Sequence, residues 1–265
     1  MTDERRRALE ALLASLEAAC EVVDEPWGTI VTSPEFHRIH MANLLWLRRL
    51  PTGGLREALA RVEEVLGPYR VPDRQMFVED TALADALRPE LEAVGYARKS
   101  EHLMFARNLP TLAANPDVAL RPARDSATWD DHDAVAGLLH EEDGYDHEVS
   151  FQLLTLHRRR QRVLGSEVFV AYLDGVAVGN VGLDGIGGVG ELYEVETAPA
   201  FRKRGIAATM VLAILDRARA RGLWPLFLRT TVGHSTFEMY EKLGFVREGT
   251  LEGFLRPASA GSVAV

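Results

Sequence analysis

The chain has one cysteine, Cys20, in 265 residues, which rules out an internal disulfide and any cysteine-based metal centre. Its place among small and apolar residues marks it as buried filler in a protein of a reducing compartment. Long hydrophobic runs are missing too: nothing approaches the roughly 20 apolar residues of a membrane span. The opening MTDERRRALE has no signal-like apolar stretch, so the expectation is a cytoplasmic protein without a membrane partner. Basic charge is not in excess. Lys and Arg number 30 against 39 Asp and Glu, a net charge of −9 that both halves share, and no nucleic-acid footprint results. What is present is an ordinary globular composition, 47% hydrophobic and 26% charged, which excludes intrinsic disorder and leaves one large or two small domains.

Apolar spacing and Gly/Pro punctuation divide the chain. Leu9, Leu12, Leu13 and Leu16 predict a helix over 5–23. A strand at 27–32, a helix over 54–66, a strand at 76–78, a helix over 81–94 and an extended segment at 101–106 follow. Pro110, Pro116 and Pro122 mark a connection, with the boundary at 110–116. Beyond it the pattern reads strand (118–121), two helices (127–140, 148–163), strands at 167–173, 176–183 and 189–197, a helix over 205–221, a strand at 224–230, a helix over 234–242 and a last strand. Antiparallel pairs followed by a strand–helix–strand unit predict a mixed α/β sheet flanked by helices.

Gly185-Ile186-Gly187-Gly188-Val189-Gly190 fits the spacing of a dinucleotide-binding loop. It opens a strand rather than a helix, however, so it reads as a hairpin turn. The informative segment is Arg202-Lys203-Arg204-Gly205-Ile206-Ala207, a basic, glycine-containing turn at a helix start. Free amides and the positive end of the helix dipole suit a phosphate or pyrophosphate there; the plainer alternative is a solvated helix cap. More than thirty residues downstream, Phe237-Glu238-Met239-Tyr240-Glu241-Lys242-Leu243-Gly244-Phe245 reads as a helix that ends at glycine before a strand.

Together the two segments resemble the GNAT superfamily of acetyl-CoA-dependent N-acetyltransferases, whose pyrophosphate turn reads Arg/Gln-x-x-Gly-x-Gly/Ala and whose later helix ends in Tyr-x-x-x-Gly-Phe. The resemblance covers about 117–256. It implies a mostly antiparallel central sheet, acetyl-CoA as acyl donor, and acetyl transfer to a primary amine of a small molecule or protein. The backbone of Val195 and Thr197 would pair with the pantetheine arm, and Arg202, Lys203, Arg204, Gly205, Ile206 and Ala207 would hold the pyrophosphate. Tyr240 falls on the tyrosine that protonates the departing thiolate, or else packs against the cofactor. The family's base is often a glutamate on the strand before the turn. Alternation puts Glu191 and Tyr193 on one face with Val195 and Thr197, and Glu194 and Glu196 on the other. That favours Glu191, with Glu194 second and an already neutral amine third. The asparagine that family members often carry seven residues before the tyrosine is Gly233 here, so its contact shifts to Ser235 or to backbone. A non-catalytic acyl-CoA sensor is the competing reading.

Residues 125–157 hold nine acids and no Lys or Arg, a field that would draw a cationic amine or merely aid solubility. His140 and His147 lack the H-E-x-x-H spacing, and no metal is expected. In the amino-terminal half, Gln75–Asp80, a helix to Gly95-Tyr96 and a strand through Phe105 echo the family's last strand–helix–strand without a pyrophosphate turn. The expectation is a tandem arrangement: a degenerate GNAT-like domain over 1–112 that walls the acceptor cleft, and a catalytic domain over 117–256. Trp27, His37, His40, Asn43 and Trp46 would line that wall or simply pack.

Overall fold

The computed structural model describes residues 2–233 and 236–258. The chain opens with α1 (Asp3–Ala19), followed by β1 (Glu21–Glu25), β2 (Gly28–Thr32), two 3₁₀ turns and β3 (Leu44–Leu47). Next come α2 (Gly54–Leu66), β4 (Arg74–Val78), α3 (Thr81–Ala93), β5 (Ala97–Arg98) and β6 (Glu101–Ala106). The second half holds β7 (Val118–Pro122), α4 (Ser126–Glu142), α5 (His147–Leu164), β8 (Glu167–Leu173), β9 (Val176–Ile186) and β10 (Val189–Thr197). It ends with α6 (Ile206–Ala220), β11 (Leu226–Thr231), α7 (Phe237–Lys242) and β12 (Phe245–Arg256). The predicted hairpin turn is confirmed: β9 passes to β10 through Gly187 and Gly188, both at positive φ.

Each half contains a strand, a crossover helix, a parallel strand, a further helix and a closing strand. β3 pairs in parallel with β4 across α2, and β10 with β11 across α6. The two units form one sheet, ordered β1-β2-β3-β4-β12-β6-β11-β10-β9-β8-β7. The boundary expected at 110–116 therefore divides the chain but not the sheet, because each half gives its closing strand to the other. β6 sits between β11 and β12, while the far end of β12, from Glu252 to Arg256, pairs with β4.

The core follows from that exchange. Leu103, Met104 and Phe105 of β6 are fully buried, as strands covered on both faces must be. One face receives α1, whose Leu9, Leu12, Leu13 and Leu16 share a cluster with Trp46, Phe77, Phe105, Val189, Phe227 and Leu251. The helix thus bridges both halves, and each of its buried leucines contributes about 1.5–3 kcal/mol. The other face carries α6 and α7, with Met104 packed among Ile214, Leu228, Tyr240 and Phe245. Gly244 makes the seam possible: at φ +89° it accepts the amides of Arg107 and Asn108, and a Cβ there would stand 2.2 Å from the Asn108 carbonyl oxygen.

Candidate active site

β9 and β10 run in register as far as Tyr193, then slip before Glu196, and Glu194 at this bulge has φ +54°. β10 pairs with β11 only over Gly190 to Leu192, so the two parallel strands part beyond that point. Parting and bulge together open a cleft of about 770 Å³ on the α6 side. Val195 and Thr197 line one wall, and Arg202, Lys203, Gly205, Ile206 and Ala207 line another. The Thr197 hydroxyl is buried without a hydrogen-bond partner. Arg202 is clamped by Glu142, Nη1 to Oε1 at 2.8 Å, whereas Arg204 lies over the Phe201 ring and not in the cleft. Ser235 falls outside the described residues.

The start of α6 is built differently from those of α1, α3, α4 and α5. Thr2, Asp80, Asp125 and Asp146 cap α1, α3, α4 and α5 with side-chain oxygens. Gly205 at φ +77° provides no such cap, which leaves the first amides of α6 facing the cleft as donors for an anion. At the corresponding start of α2 the amides are already engaged, that of Gly53 by Glu57 Oε2 at 2.7 Å and that of Gly54 by the Pro51 carbonyl at 3.0 Å.

Across the bulge lies a second cavity of about 260 Å³. Leu12, Ser15, Leu16 and Ala19 of α1 and Leu153, Leu156, His157 and Arg160 of α5 line it, each set at spacings of three and four, hence one helix face. Glu194 and Glu196 enter from β10. Glu194 is held by two imidazoles: His157 Nδ1 stands 2.6 Å and His132 Nε2 3.3 Å from its Oε1. Burial works against its charge, but these histidines outweigh burial and keep the carboxyl well below the usual range. Burial likewise opposes charge on His132, yet Asp133 and Glu194 raise it to about 10. Glu196 has no cationic clamp; burial, then the charge of Glu194, pushes it up to about 7.

The expected site residues thus fare unevenly. Glu191 does not share the cleft with Val195 and Thr197, because the bulge breaks the alternation. It lies buried and ion-paired, with Arg229 Nε at 3.1 Å and Arg160 Nη2 at 3.7 Å. Glu194 and Glu196 both reach the cavity, on the face opposite Val195 and Thr197 where alternation puts them; Glu194 is flanked by the two histidines, whereas Glu196 has no cationic side chain on it. Tyr240 is 7% exposed, with its ring 6.1 Å from that of Phe245, one residue beyond the cleft-lining Met239. Burial pushes its phenol up to about 12. Much of the acidic stretch is engaged locally: Asp125 and Asp146 cap helices, Asp133 meets Arg158, and Tyr172 donates to Asp131. His140 bonds Ser150. The histidines that do converge, within 4.8 Å of each other and of Glu194, are His132 and His157. The expected wall from the amino-terminal half comes from α1, Ile39 and Met41; Asn43 instead braces its own loop, and Trp46 donates to Glu79.

Residues 129–245 match the Acetyltransferase (GNAT) family, so the carboxy-terminal half is a GNAT domain, and acyl transfer is the chemistry that family defines. No curated protein matches the sequence. Among solved structures, a GCN5-related N-acetyltransferase from Kribbella flavida is 16% identical, covers 98% of this chain and 97% of its own, and has a TM-score of 0.68. One from Sphaerobacter thermophilus is 15% identical over 96% and 94%, TM-score 0.61. A tandem GNAT protein from the clavulanic acid biosynthesis pathway is 13% identical over 91% and 83%, TM-score 0.57. The likeness extends over both halves, and the fold is that of a tandem GNAT protein. Among the described residues no helix is long and apolar enough to cross a membrane.

Proposed function

We propose that the chain transfers an acetyl group from acetyl-CoA to a primary amine, with the donor in the cleft beside α6 and the acceptor in the cavity beside α1 and α5. One observation carries the reading: Val195 and Thr197 line the cleft while Glu196, between them, lines the cavity. A single turn of β10 therefore faces both partners. Acetyl-CoA supplies an activated carbonyl, and its C–S bond breaks as the C–N bond forms. Glu196 takes the proton that the amine must shed; a carboxyl near 7 is matched to that work, whereas Glu194 is too weak a base. Tyr240 keeps its proton at neutral pH and holds it for the departing sulfur. The uncapped turn from Lys203 to Ala207 supplies amides for the pyrophosphate, and the filled turn at Gly53 limits the chain to one donor site.

Thiol release from acetyl-CoA in the presence of primary amines, compared with Glu196→Gln, tests the proposal. Turnover in the parent and a large loss in the variant are expected. Coenzyme A binding without turnover on any amine would favour the sensor reading.

A further inference from the structure

From the walls of the acceptor cavity we infer the substrate class: a small monoamine on an apolar body, and not a polyamine or a protein lysine. The inference rests on the reading of this cavity as the acceptor site. Leu12, Leu16 and Ala19 of α1, Ile39 and Met41 of the amino-terminal half, and Leu153 and Leu156 of α5 make one side, a surface that rewards buried hydrocarbon and cannot solvate a charge. The opposite side is polar, but its charges are already matched. Glu194 sits between two histidines. Arg160 meets Asp184 at 2.5 Å, and Arg229 meets Glu101 at 2.7 Å and Glu191 at 3.1 Å.

Glu196 alone among these carboxylates has no cationic side chain on it; its Oε2 accepts from the Asn180 amide at 2.9 Å. The cavity thus has one place for one ammonium group. A second ammonium, a few bonds further on, would meet either leucines or the guanidinium groups of Arg160 and Arg229, and both exclude it. The volume of about 260 Å³ is below the range of drug-sized pockets and fits a compact acceptor. None of the nine acids of residues 125–157 lines this cavity, so that field does not select the substrate.

The test uses the full chain with acetyl-CoA and three probes: phenethylamine, isoamylamine and spermidine. Thiol release measures turnover, and calorimetry with coenzyme A present measures binding. Expected is a kcat/KM for the two apolar amines at least about 10²-fold above that for spermidine, with Met41→Asp, at the partly buried edge of the wall, narrowing the gap. Spermidine as the better substrate would overturn the inference and leave acetyl transfer standing. Binding of phenethylamine without thiol release would sustain the ligand class and overturn the transfer reading. Neither binding nor turnover of the apolar amines would overturn the inference itself.

Discussion

Glu196 Oε2 accepts from the side-chain amide of Asn180 at 2.9 Å, and the same nitrogen donates to the backbone carbonyl of His132 at 3.0 Å. Asn180 on β9 thereby sets the carboxylate of β10 against α4, across the bulge where the ladder between the two strands slips. The position of the proposed base is a property of three elements rather than of one strand.

A base works deprotonated, so kcat should rise with pH through about 7 and level off above it. Glu196→Gln should lower turnover by roughly 10²–10⁴ and replace that limb with one set by the amine itself. The same substitution should raise the unfolding temperature at pH 8. An acid whose folded pKa is raised holds a proton that the unfolded chain sheds, so its contribution to stability is lost as pH climbs from the unfolded value through about 7, and removing the group relieves that loss. A limb near 7 that persists in the variant would place the base elsewhere.

The open turn at α6 and the filled turn at α2 predict different fates for two substitutions. Gly205→Glu puts a side chain at φ +77° and a negative charge where the pyrophosphate would sit, so coenzyme A affinity should fall by at least about 10²-fold in a protein that still folds. Calorimetry on the parent should give one coenzyme A per chain, and two equivalent sites would contradict the role assigned to Glu57. Glu57→Ala, far from that turn, should leave the affinity of the α6 site unchanged.

His132, His157 and Glu194 come close enough to hold a cation, yet their charges balance without one. His132 sits between Asp133 Oδ1 at 3.0 Å and Glu194 Oε1 at 3.3 Å, and Arg158 Nη2 meets Asp133 Oδ2 at 2.5 Å, so one imidazolium and one guanidinium offset the two carboxylates. Treatment with a chelator should therefore change neither turnover nor unfolding temperature. Activity lost on chelation and restored by zinc would show instead that the three residues are ligands.

Much of this was legible in local sequence, because glycine and proline punctuate it. The helix over 54–66 and the Gly187-Gly188 turn lie where spacing predicted them, and Pro89 is accommodated within α3. β3 was not legible: Leu44, Leu45, Trp46 and Leu47 are all buried, so the segment has no alternation to read. The end of the first helix was overrun because Val22 and Val23 continue its apolar pattern into β1. In the site, the pyrophosphate turn showed itself through composition, but the bulge did not, and a slip of one residue exchanges the faces of a strand. For that reason Glu191 was placed with Val195 and Thr197 and favoured, with Glu194 second, and Glu196 was not weighed. His157 and Arg160 share a helical face with Leu153 and Leu156, a signal that was present and not used.

The exchange of closing strands makes the halves interdependent. Without residues 1–112, β11 and β12 lose the strand between them, and Val189, Phe227 and Leu251 lose the cover of α1. Residues 117–258 alone should show no cooperative unfolding transition, and co-expression with 1–112 should restore one. A stable, coenzyme-A-binding fragment would mean that the carboxy-terminal half can close its own sheet.

Tyr240 and Phe245 flank Gly244 at the end of α7, and their rings meet at 68°, so the phenol is held by packing whether or not it moves a proton. Tyr240→Phe separates the two roles, because the ring and its contacts stay while the hydroxyl goes. If the hydroxyl protonates the leaving sulfur, turnover with acetyl-CoA should fall by roughly 10²–10⁴ with little change in affinity for the donor. A donor whose thiol is more acidic than coenzyme A should recover most of that loss, since its anion leaves without help. The recovery would be absent if the substitution had only loosened the packing of α7 against β12, in which case unfolding temperature and donor affinity would fall together and every donor would be affected alike.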